Sequence, residues 1–400
     1  MRTASNPVIV IGASHAAVQL GVSLRQEGYR GDIVLIGQEK HPPYNRPPLS
    51  KTLLTQQVDF ERTMLRQMNF YETQGIALRL GTTVTGILPD RHEIELDSGE
   101  RLAFSKLVIA TGASPIHLNL PGIDLKGIGY LRNLDNAASF APFIQPGNKA
   151  VVVGGGYIGL EAAAALNQAE LSVTVLEGMD RVLQRVTAPQ VSEFFRLAHE
   201  RRGVSIVTGA QATAFAGQEQ VNAVTCLNNT NPFEADMVII GVGVQPNTEI
   251  ASNAGLSVSN GIVVDCYCQT EDSDIFAIGD CTNFPRAGTD QRIRLESVPN
   301  AVAQAKSAAA AICGRELPHN SLPWFWSDQY GLKLQIAGIN TGYDDVVIRG
   351  KMEDEHFSAW YFQGEQLLAV DAVNAMKDFI QAKKLLSEGL TIRKEDVTDH

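Results

Sequence analysis

Two glycine-rich turns in this chain have the residue types and spacing to grip a dinucleotide each. The first follows Val8-Ile9-Val10-Ile11 and reads Gly12-Ala13-Ser14-His15-Ala16-Ala17; the second follows Val151-Val152-Val153 and reads Gly154-Gly155-Gly156-Tyr157-Ile158-Gly159-Leu160-Glu161. In the second, Gly154 permits a tight turn, Gly156 lets the backbone approach a pyrophosphate, and Gly159 lets the next helix pack close to the sheet. The helix N-terminus then faces the phosphates. The following strand ends at Glu177, where a carboxylate hydrogen-bonds an adenosine ribose. An acid there favours NAD(H) over NADP(H), because like charges about 4 Å apart repel by about 4 kcal/mol at an intermediate dielectric. Arg181 and Arg185 lie close by in sequence and temper that preference.

The first cradle departs from the pattern. Ser14 replaces the middle glycine, Ala17 the last, and Gln38 the ribose acid, with Glu39 next. Serine still offers a small side chain and a backbone N–H, and Gln38 can hydrogen-bond ribose hydroxyls as a neutral group. Asp280 ends the run Asp274-Ile275-Phe276-Ala277-Ile278-Gly279. A carboxylate there can accept from a polyol such as a flavin ribityl chain, although an ordinary strand-end aspartate reads the same way. Two dinucleotides on one chain imply a relay of electrons between them.

The elements that must position these turns follow from periodicity. Strand 8–11, a helix over about 14–27 and strand 33–36 make a β-α-β unit with a parallel sheet. Residues 107–112 read as a buried strand and turn. The pattern restarts with strand 150–153, helix 157–168 and strand 172–176, followed by strands near 204–207, 221–226 and 237–240. Strands near 262–264 and 275–280 and an Ala-rich helix over about 299–313 come next. Residues 41–51 are proline-rich and are predicted to lack regular structure. Cys266-x-Cys268 lies in a strand-like run, which predicts both side chains on one face. After Pro318, strands at 332–337, 345–349, 356–362 and 366–371 and a helix at 375–387 predict an antiparallel α+β tail. The expected fold is α/β, with two Rossmann-like, doubly wound parallel-sheet nucleotide-binding domains, one inserted in the other, plus a C-terminal α+β domain. The boundaries are 1–113 with 242–320, then 114–241, then 321–400.

Four hundred residues exceed one hydrophobic core. A net charge of −11 argues against nonspecific nucleic-acid binding. No run approaches the about 18 apolar residues of a membrane helix, and the N-terminus does not read as a secretion signal. The five cysteines show no framework spacing, which predicts a reduced, cytoplasmic protein.

The chain resembles the flavin-dependent NADH:ferredoxin reductases, of the putidaredoxin reductase and biphenyl dioxygenase ferredoxin reductase type, over about residues 7–390. The likeness rests on Arg46-Pro47-Pro48-Leu49-Ser50-Lys51, Ala110-Thr111-Gly112, Tyr130-Leu131-Arg132, Gly154 through Glu161, Gly241 through Asn247, Ala277 through Asp280, Glu296 through Ala301 and Trp324-Phe325-Trp326-Ser327-Asp328-Gln329. The resemblance implies FAD in the first cradle, at Gly12, Ser14, His15, Ala16, Gln38, Glu39, Arg46, Lys51, Val84, Ala110, Thr111, Gly112, Arg132, Asp280 and Val298. It implies NADH in the second, at Gly154, Gly156, Tyr157, Ile158, Gly159, Glu161, Glu177, Arg185, Val242 and Gly243. It further implies that Lys51 and Glu161 meet beside the isoalloxazine, the lysine stabilising reduced flavin and the acid fixing the lysine. Trp326 is implied as an electron exit; a core aromatic is the other reading.

Residues 1–225 contain no cysteine, so electrons cannot leave the flavin through sulfur in that region. Direct exit to a one-electron carrier is expected, and the resemblance implies that this carrier is a ferredoxin, [2Fe–2S] in type, feeding a haem monooxygenase or a ring-hydroxylating dioxygenase. Lys306, Lys333, Lys377, Lys383 and Lys384 could form a basic docking rim for it, or simply solvated helix faces. The alternatives are a rubredoxin-type or small-substrate NADH reductase, and a redox-signalling flavoprotein resembling apoptosis-inducing factor.

Overall fold

The two Val/Ile runs that precede the glycine turns become central strands of two separate parallel sheets. The structure, a computed structural model, describes residues 6–227 and 229–398, so the N-terminal residues up to Ser5 and the reading of them as lacking a signal lie outside the described residues. The chain divides into two units: one from the N-terminal strand to Asn45, with Glu61–Ser114 and Gln245–Pro323, the other Arg46–Phe60, Pro115–Val244 and Trp324 onward.

In the first unit a five-stranded parallel sheet runs in the order Ile275–Ala277, Lys106–Ile109, Val8–Ile11, Ile33–Gly37, Ile76–Leu80. Val8 pairs with both Ile33 and Lys106, so the strand that enters the first cradle is central. It is buried on both faces, as an uninterrupted apolar run in a parallel sheet requires. The helix His15–Gln26 packs against the Ala-rich helix Val298–Ile312 through small residues, among them Ala16, Ala301 and Ala305. Arg25 ties this layer down, its guanidinium donating to the carbonyls of Gln74, Tyr29, Gly31 and Gly75.

The second unit repeats the device. Its parallel sheet runs Ser205–Thr208, Ser172–Glu177, Lys149–Val153, Met237–Ile240, Ile128–Tyr130. An antiparallel sheet of five strands forms the tail, in the order Trp324–Gln329, Leu332–Gly338, Gln366–Val373, His356–Gln363, Asp345–Lys351, followed by the helix Met376–Glu388. A buried polar cluster joins the two parts of this unit. Asp371 Oδ2 accepts from Thr187 Oγ1 and from the Tyr361 hydroxyl, which itself accepts from the Ala188 N–H. Burial pushes the Asp371 carboxyl up to about 6, against the downward pull of those two donors.

Two local expectations are corrected. Pro47–Ser50 forms a 3₁₀ turn rather than irregular chain, because prolines at the first helical positions lose no intrahelical bond. Cys266 and Cys268 do not share a strand face. Asp265 Oδ1 accepts from the N–H groups of Tyr267 and Gln269, folding the chain into a turn with Cys268 at φ +64°. Cys268 is buried and Cys266 half-buried. No helix among the described residues is long and apolar enough to cross a membrane.

Candidate functional site

Both cradles deliver a helix N-terminus directly after the glycine turn. Ser14 caps His15–Gln26 and Gly156 caps Tyr157–Gln168, each in extended backbone. The second turn is sterically committed to glycine. Gly154 has φ +111°, and a Cβ there would sit 2.4 Å from the Gly241 carbonyl oxygen. A Cβ on Gly159 would lie 2.0 Å from the Gly154 oxygen, whereas one on Gly156 would meet nothing within 4 Å. Gly156 is thus the open approach that a pyrophosphate needs, while Gly154 and Gly159 close the turn onto the sheet. Glu177 takes the Gly155 N–H on Oε2 at 2.6 Å and the Met179 N–H on Oε1 at 2.8 Å, which fixes the carboxylate at the rim of the cradle. Gly243, with φ +120°, has the Arg185 guanidinium close by. Ile158 is exposed at the helix start. A cleft of about 450 Å³ lies beside the ends of these strands, lined by Arg181, Thr208, Asp180 and Arg196 among others. Arg181 Nη1 is buried there without a hydrogen-bond partner. The sequence reading had not singled out Thr208 or Arg196, which share no motif with the glycine turn.

In the first unit Gly12 has φ +126°, and a Cβ on it would lie 2.2 Å from the Ala110 oxygen. The first cradle and the Ala110-Thr111-Gly112 turn therefore abut. Thr111 exchanges hydrogen bonds with Asn247, which also donates its N–H to Gly112. Gly279, before the half-buried Asp280, brings its Cα close to Ala16. His15 reaches Asn45 at 3.3 Å, and Glu39 accepts from the Tyr44 hydroxyl at 2.6 Å. Gln38 is exposed at its strand end; Val84 and Val298 are half-buried. These residues fit a second dinucleotide: the turn leaves no room for side chains, and polar groups ring it. Among the described residues no group of His, Cys, Asp and Glu could hold a metal ion.

The remaining expected residues, Lys306 of the first unit apart, lie in the second unit. Arg46 Nη1 donates to the Arg132 carbonyl at 2.7 Å. Lys51 Nζ stands 2.6 Å from Glu161 Oε2, with Glu161 buried and the lysine side chain 21% exposed. The pairing expected from the resemblance is therefore a contact within one unit. Ser50 Oγ also donates to Glu161 Oε2 at 2.6 Å, and Ser327 Oγ donates to Oε1 at 2.7 Å. Both serines lie inside motifs that carry the resemblance, which assigns neither of them a role. Trp326 is half-buried, its ring 5.6 Å from Trp324, and Lys383 Nζ lies 4.7 Å over the Trp324 ring. Lys306, Lys333, Lys377 and Lys384 are exposed.

The cysteines are all free. Cys226, Cys268 and Cys281 are buried, Cys266 and Cys313 half-buried, and burial pushes each thiol up.

Comparison with known proteins agrees with this geometry. Residues 6–305 match the pyridine nucleotide-disulphide oxidoreductase family and residues 324–400 the reductase C-terminal family. The chain is 41% identical to putidaredoxin reductase of Pseudomonas putida, covering 97% of this chain and 93% of that protein. It is 40% identical to rhodocoxin reductase of Rhodococcus erythropolis, covering 98% and 92%. The crystal structure of the covalent putidaredoxin reductase–putidaredoxin complex superposes with a TM-score of 0.96 at 40% identity, over 100% of this chain and 97% of that one. With two glycine cradles, an acid at the second and no thiol pair at either, the chain belongs to the pyridine nucleotide-disulphide oxidoreductase family, in the branch that carries the reductase C-terminal domain.

Proposed function

We propose that this chain passes electrons from NADH through FAD to a ferredoxin that feeds an oxygenase, with Lys51 and Glu161 at the reacting rings. The observation that carries the reading is the Lys51–Glu161 contact at 2.6 Å, which joins the second cradle's helix to the Pro47–Ser50 turn. FAD, when bound, supplies the change from a two-electron hydride to single electrons. The backbone N–H groups at the helix starts after Ser14 and Gly156 would hold the two pyrophosphates, and Glu177 would hold the NADH ribose. Lys51 would place a positive charge beside the ring of a bound flavin, and Glu161 keeps the ammonium in place. Without a thiol pair, electrons leave singly, and half-buried Trp326 is our candidate for their exit. The [2Fe–2S] type of the carrier follows from the putidaredoxin reductase likeness.

The division into FAD-binding 1–113 with 242–320, NAD-binding 114–241 and a C-terminal domain 321–400 is part of the same proposal. So is a cytoplasmic location, supported by five free cysteines and the supply of NADH there.

Glu161→Gln tests the site. Single-turnover reduction of bound flavin by NADH is expected to slow about a hundredfold, as for loss of a fixed charge at a reacting centre, with the flavin retained. An unchanged rate would remove the pair from the chemistry.

A further inference from the structure

The acid at the centre of the proposed site is the end point of a longer buried hydrogen-bond chain. Glu161 is a carboxylate and can only accept. Ser327, 1% exposed, has one hydroxyl hydrogen, and it points at Glu161 Oε1 at 2.7 Å. The serine oxygen is then left to accept, and it takes the Gln329 amide N–H at 3.2 Å. That turns the Gln329 carbonyl oxygen toward His199 Nε2, 2.8 Å away. An amide oxygen cannot donate, so His199 must carry its hydrogen on Nε2. Its Nδ1 faces the Tyr330 hydroxyl at 3.5 Å. From His199 to Glu161 each link has one allowed direction and every donor points toward Glu161; beyond them the Tyr330 hydroxyl gives its one hydrogen to Asn167 Oδ1 at 3.3 Å. Gln329 and His199 are fully buried, so water does not compete. Burial also lowers the His199 pKa, in the direction of the neutral ring, while the chain itself requires only the hydrogen on Nε2.

The strand Trp324–Gln329 explains how this is built. Alternate residues face opposite sides. Phe325, Ser327 and Gln329 share one face, where Phe325 stacks on Tyr157 at 4.9 Å and Ser327 meets Glu161, one helical turn further along. Trp324 and Trp326 share the other face. A single strand therefore holds the candidate hydride-site acid on one side and the candidate electron exit on the other.

We propose that Ser327 is a positioning residue for the Lys51–Glu161 pair, held in the donating direction by Gln329 and His199. The inference rests on the reading that this pair works at the flavin. Ser327 touches neither coenzyme in this role. It stops the carboxylate from rotating, and through it fixes the Lys51 ammonium.

The test uses the flavin-loaded full chain. Ser327→Ala is expected to lower the limiting rate of flavin reduction about tenfold, with the Kd for NADH within about twofold of the parent. Ser327→Cys, a near-isostere with a weak donor, is expected to fall between the two. An independent readout is ¹⁵N NMR of histidine-labelled protein. His199 is expected as the neutral Nε2–H tautomer at pH 7, with its signals displaced in Ser327→Ala. Limiting rates in both variants within twofold of the parent would overturn the proposal. So would a neutral His199 with its hydrogen on Nδ1 and a bare Nε2 at pH 7. If Ser327→Ala does not hold flavin, Ser327→Cys alone decides by the same rate criterion. Glu161→Gln separates the two levels: if it leaves reduction unchanged, the proposed site fails; if it slows reduction while the Ser327 variants do not, only the positioning role fails.

Discussion

Glu161 shows how much a motif hides. As the acid of Gly-x-Gly-x-x-Gly-x-Glu it is visible in the sequence, and so is Glu177 at the end of the next strand, because a β-α-β unit fixes both offsets. Lys51 is expected there from the resemblance, and Ser50, Ser327 and Gln329 sit inside its motifs, but that these three and His199 converge on Glu161 is not visible. Ser50 is 111 residues away, Ser327 166, and the His199–Gln329 bond spans 130. Ser and Gln carry no signature by type, and only tertiary packing chooses which of many meet. His319 is a similar case with a consequence for pH. Its Nε2 pairs with Asn300 at 3.0 Å, its Nδ1 is buried without a hydrogen bond, and its ring packs on Phe284. Burial pushes it down to about 4. The unfolded ring, with a pKa near 6.5, binds a proton at pH values where the folded ring does not. Its contribution is therefore intact above about pH 6.5 and is lost as pH falls toward 4, by about 3 kcal/mol in all. His319→Gln is expected to flatten that fall, seen in unfolding midpoints taken from pH 7.5 to 4.5. An equally steep decline would show that this histidine does not govern it.

The second cradle's helix is held by its glycines more tightly than a flexible turn would require. Because a Cβ on Gly159 would collide with the Gly154 carbonyl at 2.0 Å, Gly159→Ala must push the helix start off the sheet. We expect a destabilisation of roughly 3 kcal/mol and NADH affinity reduced about a hundredfold, with the yellow flavin absorbance kept. NADH titration of the purified variant decides it, and parental affinity would contradict the steric account. Elements with strong periodicity were legible here: Tyr157–Gln168 and Met237–Ile240 fall where the pattern places them. The Cys266–Cys268 stretch was not, since Asp265 satisfies two backbone donors and diverts the chain into a turn. Alternation of apolar residues cannot report that competition.

At the scale of the molecule, the repeated β-α-β unit made the twin nucleotide sheets readable, and the shift in pattern after Pro318 made the tail readable. What could not be read is that Arg46–Phe60 groups with the unit containing the second cradle. That excursion carries Lys51 to Glu161, a meeting the resemblance implies but the proline-rich composition by itself does not name. The burial of the thiols has a practical outcome. A thiolate is the form that alkylating reagents and peroxide attack, and burial raises the pKa of every thiol in this chain, three of them buried and two half-buried. We expect iodoacetamide, at doses that silence dithiol-using cousins, to leave NADH-driven turnover within about twofold of the untreated protein, and a proportional loss would place a cysteine in the cycle. A chain whose thiols are all held as the protonated form offers an oxidising partner no ready thiolate, so its electron path does not depend on a reducing rescue of sulfur.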